Sequence, residues 1–339
     1  MNALKTLLGL IVLGLLAWLL AALFAGPAVE EVETREFTSS QQCRECHPQV
    51  FAEWESSWHA RAWIDEDVRA LSNDFANTDC IDCHAPRPVF ETGVGKRVLP
   101  RASRRGEGVD CISCHQLPGG GVAGTIDKPS AACRPAATLD LARADFCGVC
   151  HDQHQTVQQW KATPFAEAGT GCIDCHMPFR DGDPDLGRDH RCLGGHDEAL
   201  VRSAVELRGR RAGEGWVVEV ENVAAGHHFP TDERSRAADV FWRPLAPGAQ
   251  EGAGDWRFLH RIRDPYRHEV DLESTLVAFG EVRAIPLEDP ESAEGAEVAL
   301  FYRLTPYYTD PETGTPVHES TVRDPRPGSL LVHRIVLRP

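Results

Sequence analysis

Positive charge is in short supply in this sequence. It has 35 lysines and arginines against 51 aspartates and glutamates, which gives a formal net charge of −16 at pH 7. A chain with this balance is not expected to bind nucleic acid or an anionic lipid surface through bulk electrostatics. The charge fits an acidic protein that docks on a basic partner, and ordinary solubility explains it equally well.

Long apolar runs are also missing, except at the N-terminus. Leu7 to Ala25 is an unbroken run of apolar residues and glycine behind Lys5, long enough to span a bilayer and long for the core of a cleaved signal. Because the positive charge precedes this run and acidic residues follow it, the chain after residue 27 is predicted to lie outside the cytoplasm. We therefore predict that residues 1–27 form a membrane anchor or a signal segment and that residues 28–42 form a polar tether.

Cysteine is abundant and patterned. Two thiols at the spacing Cys-x-x-Cys attach to the vinyl groups of one haem, and a histidine directly after them binds the iron from one face. A zinc site gives no reason for a histidine after every pair, and neither does a disulfide scaffold. The sequence therefore predicts five haem c groups, because five complete motifs are present: Cys43, Cys46 and His47; Cys80, Cys83 and His84; Cys111, Cys114 and His115; Cys147, Cys150 and His151; Cys172, Cys175 and His176.

Methionine is scarce, which limits the choice of the second axial ligand. The two methionines are Met1, the initiator, and Met177, which follows His176 and cannot reach the opposite face of the same haem. The distal ligands are therefore predicted to be histidines, unless one haem keeps an open face. The candidates are His59, His154, His190 and His227, with His196 and His228 as alternatives for a fifth position.

Two of these candidates carry a geometric prediction. Val50, Phe51, Trp54 and Trp58 share one face of a predicted helix, and if that helix continues to His59, the histidine lies about 18 Å along the axis from His47. His59 would then serve a different haem from the first. His154 follows His151 by three residues on the same helix face, so it too is expected to bind a neighbouring haem.

Cys133 and Cys192 lie outside the motifs. In an oxidising compartment, an even remainder of cysteines predicts a disulfide between them. Two free thiols or an intermolecular bridge are the alternatives.

The distribution of motifs predicts an α+β chain of two domains. Residues 43–198 hold all five motifs, with too few residues per haem for an ordinary core, so this domain is expected to be helices and loops packed on haem. Residues 199–211 are predicted to form a linker helix. Residues 212–339 are predicted to form an antiparallel β-sandwich, because alternating runs occur at 216–222, 240–242, 297–303 and 330–337.

Four segments resemble the cytochrome c-554 and hydroxylamine-oxidoreductase-like group of multihaem cytochromes, in particular members with a C-terminal β-sandwich. They are residues 108–115, 172–178, 189–196 and 222–231. The resemblance implies closely stacked haems with distal histidines donated from other motifs' segments, and supports His59, His154, His190 and His227 by position. It also implies periplasmic or surface electron transfer in respiration.

The enzymes of that group differ from this chain. Cytochrome c nitrite reductases use lysine as proximal ligand of the catalytic haem, whereas all five motifs here end in histidine. Hydroxylamine oxidoreductases cross-link a tyrosine to a catalytic haem, whereas every tyrosine here lies after residue 265. The sequence therefore favours outer-sphere electron transfer between redox partner proteins, without a catalytic residue. The alternatives are an oxidoreductase acting on a small nitrogen or sulfur compound at an open haem, and a structural or filament-forming module.

Overall fold

A computed structural model describes residues 14–18, 36–231, 236–245, 254–265, 269, 271–292, 295–304 and 329–339. Residues 14–18 are helical. The rest of the predicted N-terminal membrane segment lies outside the described residues. Within the described part of the chain, no helix is long and apolar enough to cross a membrane.

The segment that carries the motifs folds into short helices joined by turns. Its two clusters of buried apolar residues are small, centred on Phe75 and Ile81 and on Val98 and Phe146. A parallel pair of strands, β1 (Val122–Gly124) and β2 (Pro135–Ala137), lies between the third and fourth motifs. The α-helices of this segment are Pro48–Ser56, Trp58–Arg61, Glu66–Leu71, Ile81–His84, Val89–Thr92, Cys111–His115, Ala144–His151, Thr156–Lys161, Pro164–Glu167 and Cys172–His176.

The helix after the first motif is shorter than predicted. It ends at Ser56, because Ser57 has extended backbone (ψ 161°) and its side chain caps a new helix, Trp58–Arg61, by accepting from the Ala60 amide. Phe51 and Trp54 are buried on the first helix as expected, but Trp58 is 39% exposed. The predicted helix that included Trp58 is therefore two helices, and the condition of a continuous helix to His59 is not met.

The C-terminal segment is an antiparallel β-sandwich, as predicted. One sheet has the strand order β3-β4-β7 and the other β6-β5-β8-β9. A single core of twenty buried residues fills the space between them. The strands are β3 (Val205–Ala212), β4 (Gly215–Asn222), β5 (Ala237–Pro244), β6 (Arg257–Ile262), β7 (Val282–Leu287), β8 (Ala296–Arg303) and β9 (Leu330–Leu337).

The predicted linker helix 199–211 is mostly a strand. A helix spans only Glu198–Ala204, and β3 begins at once with Val205. Val205 and Leu207 are buried in the sandwich core, while Arg208 and Arg210 pair with Glu221 and Glu219 across β4. Alternate burial and cross-strand ion pairs favour a strand here.

Candidate functional site

Each motif sits on one or two short helical turns, which places its two cysteines on the same side. Cysteines three residues apart are neighbours on a helix surface, and the histidine follows directly. In the third motif the turn is fixed by a capping box, in which the Asp110 carboxylate accepts from Ser113 and the Ser113 hydroxyl accepts from the Asp110 amide. This arrangement presents two thiols and one imidazole to the same ligand.

Backbone carbonyls set the orientation of five imidazole rings. In each case the ring Nδ1 is hydrogen-bonded to a main-chain oxygen, so Nδ1 carries the proton and Nε2 keeps its lone pair for a metal. Three are proximal histidines and two are distal candidates. The pairs are His84 with Ala62 (2.7 Å), His115 with Ala123 (2.8 Å), His176 with Leu193 (2.6 Å), His190 with Arg188 (2.8 Å) and His227 with His228 (2.9 Å).

Three proximal histidines face a histidine predicted to be distal. The ring centroids are 6.0 Å apart for His151 and His59, 6.3 Å for His115 and His190, and 6.3 Å for His176 and His227. With metal–imidazole bonds of about 2 Å and a ring radius of about 1 Å, two axial histidines of one iron place their centroids about 6 Å apart. The spacing therefore fits a haem iron between each pair.

Burial keeps these distal candidates neutral, which is the protonation state that binds iron. Burial and the nearby imidazole of His151 lower the pKa of His59 to about 4. Burial also lowers the pKa of His227 to about 4. The hydrogen bond to the His228 carbonyl raises this pKa, but its effect is smaller than that of burial.

His59 is held against the third motif by a close backbone approach. Gly108 has a left-handed conformation (φ +59°), and a Cβ built on it would lie 2.3 Å from the His59 carbonyl oxygen. The same carbonyl accepts from the Val109 amide at 2.9 Å. Only glycine fits there, so the residues just before the third motif position the distal candidate of the fourth.

His227 belongs to the sandwich domain. It lies in the turn after β4, where the Asn222 side chain donates to the His227 carbonyl (2.8 Å) and to the Val277 carbonyl (3.0 Å). The haem segment holds the same turn from the other side, because Gln159 accepts from the His228 amide at 3.0 Å. The turn is thus fixed by both domains.

Glu53 and Arg180 fix the segment that carries His190. The Arg180 guanidinium donates two hydrogen bonds to the Glu53 carboxylate, at 2.6 and 2.7 Å, and the His190 amide donates a third at 3.0 Å. The arginine holds the pKa of Glu53 below its usual value. Sequence analysis missed this pair, since nothing in the local pattern connects residues so distant along the chain.

We expect Glu53→Gln to loosen the distal ligand of the third-motif haem. The variant loses the bidentate ion pair with Arg180 but keeps the shape of the side chain. The low-spin electron paramagnetic resonance signal of one haem should broaden or shift, with the full haem content retained. Glu55→Gln, on the exposed side of the same helix, is the control, and an identical effect of both variants would contradict the assignment.

A continuous cavity of about 2990 Å³ connects all five motifs. Its lining includes the cysteines and proximal histidines of every motif and the distal candidates His59, His190 and His227. One drug-sized ligand fills a pocket of about 300–1,000 Å³, so this cavity accommodates several large cofactors. Together with the paired histidines, its size and lining fit haem c.

The motif cysteines also touch one another across motifs. The thiol of Cys43 contacts that of Cys111, Cys83 contacts Cys150, and Cys147 contacts Cys172. Cys114 lies close enough to the fourth-motif cysteines to act on them electrostatically. The fourth motif therefore neighbours the second, third and fifth, and the first motif neighbours the third.

The structure leaves two proximal histidines without a facing histidine ring. His47 is exposed and pairs with no histidine among the described residues. The ring of His84 lies 5.5 Å from Phe75. His154 lies in a turn beside the second motif, since Gln153 next to it is 3.5 Å from the Cys83 sulfur, and it lines the same cavity.

The two alternatives for a fifth distal ligand lie elsewhere. The His196 ring stacks on Trp58 with centroids 3.6 Å apart, and within the described part of the chain no proximal histidine lies opposite it. His228 contributes its amide and carbonyl to the turn that holds His227.

Cys133 and Cys192 carry free thiols in this structure, as do the ten motif cysteines, and the disulfide between them stays a prediction. The Cys192 thiol points to the His190 carbonyl at 3.5 Å and lies near Cys114. Burial raises the pKa of this thiol to about 12. Cys192 therefore packs against the third-motif site.

Comparisons with known proteins agree with this site. Residues 42–116 match the family model of cytochrome c554 and c-prime, and no curated protein matches the chain. A solved structure, a penta-heme cytochrome c552 from Thermochromatium tepidum, shares the fold with a TM-score of 0.59 and 18% identity, over 88% of this chain and 97% of that one. The attachment motifs, the family match and the haem-sized spacing of the paired histidines together make this chain a multihaem c-type cytochrome that resembles the cytochrome c554 group and ends in a β-sandwich.

Proposed function

We propose that the chain binds five haem c groups, one at each motif, and carries electrons between redox partner proteins outside the cytoplasm as part of a respiratory chain. The single observation that carries the proposal is the set of three histidine pairs with ring centroids 6.0–6.3 Å apart. Two imidazoles on one iron leave no coordination site for a substrate. When bound, such haems exchange single electrons without forming a bond to a substrate.

The chain's own residues account for the spacing that electron transfer needs. The contacts Cys43–Cys111, Cys83–Cys150 and Cys147–Cys172 bring the attachment points of different motifs together. Cys114 of the third motif also lies close to the cysteines of the fourth motif, and with this fourth link all five motifs are connected. The proposal places the fourth motif at a branch, next to the second, third and fifth.

The compartment and the anchor rest on the sequence. Haem attachment through this motif takes place outside the cytoplasm, and the apolar run in residues 1–27 would hold the protein at the outer face of the membrane. The net charge of −16 suits docking on basic redox partners, an interaction that weakens as ionic strength rises.

Intact mass spectrometry of the matured protein tests the haem count. We expect the mass of the chain plus five haems, because each motif presents two thiols and a histidine. Replacing Cys172 and Cys175 by serine should remove one haem. Replacing Cys133 and Cys192 by serine is the matched control and should leave all five, and a wild-type mass with four haems or fewer would refute the count.

One observation favours a second candidate function. His47 faces no histidine ring, and His84 faces Phe75, among the described residues. A haem with one open face at the first or second motif would bind a small nitrogen or sulfur compound and act as an oxidoreductase site. Stoichiometric cyanide or nitrite binding to the native protein, together with turnover, would favour this function over electron transfer alone.

A further inference from the structure

Tyr302 presents a buried hydroxyl to the haem cavity. The residue lies on β8, is 4% exposed, and packs against Phe229 with ring centroids 6.2 Å apart. Its hydroxyl makes no hydrogen bond with any residue that the structure describes, although the side chain lines the cavity. Because buried hydroxyl groups are almost always hydrogen-bonded, this group is expected to contact a ligand.

His196, which is exposed, brings a second polar side chain to the same corner. Its ring stacks on Trp58 with centroids 3.6 Å apart, and the Arg61 guanidinium also lies over the Trp58 ring. In the described part of the chain no hydrogen bond is made by the His196 ring. The preceding residue, Gly195, lies directly against Tyr302, since a Cβ there would be 2.6 Å from the tyrosine oxygen. The phenol and the imidazole therefore converge on one part of the cavity.

A positive charge lies beside these two groups. Arg236, just before β5, lines the same cavity and donates to the Leu304 carbonyl. Its guanidinium is close enough to act electrostatically on both Tyr302 and His196. A hydroxyl donor, an imidazole N–H and a nearby guanidinium together favour an anion with oxygen acceptors, such as a carboxylate.

The position of this corner identifies the carboxylate. Trp58 directly precedes His59, and Phe229, which packs on Tyr302, follows His227 by two residues. We propose that Tyr302 and His196, assisted by Arg236, hydrogen-bond a haem propionate of one of the two haems whose distal ligands are His59 and His227. This inference rests on the proposed function, because it requires bound haem. It gives the sandwich a second contact with the cofactors besides His227.

The haem-loaded variant Tyr302→Phe tests the proposal. It keeps the packing on Phe229 and removes one hydrogen-bond donor, so the propionate charge is less compensated and the ferric state is favoured. The midpoint potential of one haem should fall. At the wild-type midpoint potential, the ratio of reduced to oxidised haem should decrease by about threefold to tenfold. This is the size expected when a charge-assisted hydrogen bond to the propionate is lost and only part of its effect reaches the iron. The propionate bending mode in resonance Raman spectra should shift as well.

His196→Phe, which preserves the stack on Trp58, should act in the same direction, and the double variant should be non-additive. Trp242→Phe, buried in the same sheet, is the control for a loosened sandwich and should leave the potentials unchanged. Unchanged potentials and Raman modes in both Tyr302→Phe and His196→Phe would overturn the proposal. A formate-induced potential shift in wild type that is lost in Tyr302→Phe would also overturn it, in favour of an exogenous anion.

Haem content and spin state are measured on the same samples. A wild-type protein without five haems or without low-spin signals would contradict the proposed function, whatever the effect of Tyr302→Phe. An intact five-haem, low-spin wild type with no response in either variant would contradict only the propionate contact.

Discussion

His227→Ala should convert one low-spin haem to high spin while all five haems stay attached. The alanine removes the ring that faces His176 at 6.3 Å. The cysteines of the fifth motif still hold the haem covalently. Electron paramagnetic resonance and the optical spectrum of the oxidised protein report the change, and the midpoint potential of that haem should change with its axial ligand.

The adjacent histidine provides a matched control. His228 supports the turn through its backbone, with its amide bonded to Gln159 and its carbonyl to His227. His228→Ala keeps both backbone groups and should leave the spin state of every haem unchanged. If both variants, or neither, produced a high-spin haem, the assignment of His227 would be wrong.

Asp239→Ala should destabilise the sandwich by about 3–5 kcal/mol, because it removes a buried carboxylate that pairs with two buried guanidinium groups. The Asp239 carboxylate is fully buried and accepts two hydrogen bonds from Arg261, at 2.7 and 2.9 Å, and one from Arg303 at 2.8 Å. Chemical denaturation followed by tryptophan fluorescence measures the loss. High-spin haem should appear along the same transition, since His227 belongs to the sandwich.

Glu206→Ala is the control for Asp239→Ala. Glu206 forms an exposed ion pair with Arg208 on β3, and exposed pairs contribute little to stability. Its removal should change the free energy of unfolding by no more than about 0.5 kcal/mol. Equal effects of the two variants would show that the buried network does not stabilise the sandwich. Loss of the fold in Asp239→Ala without any high-spin signal would show that the sandwich does not hold the fifth-motif haem.

Several structural features could not be predicted from local patterns. The face shared by Val50, Phe51, Trp54 and Trp58 suggested one helix, but the Ser57 side chain caps a second helix instead. Residues 205–211 belong to the strand β3 and not to the predicted helix, because the glutamate partners of its arginines lie on β4, which is adjacent only after folding.

The chemistry of this protein can be predicted from local motifs. Each of the five Cys-x-x-Cys-His motifs specifies one covalent haem within five consecutive residues. The scarcity of methionine points to histidine as distal ligand, and alternating runs indicate the sandwich. Which histidines meet depends on the fold. His59 faces His151 and His227 faces His176 because a glycine contact and a turn anchored by both domains bring them together. A motif is local along the chain, whereas the second axial ligand comes from a distant segment, and its position depends on packing that no local pattern encodes.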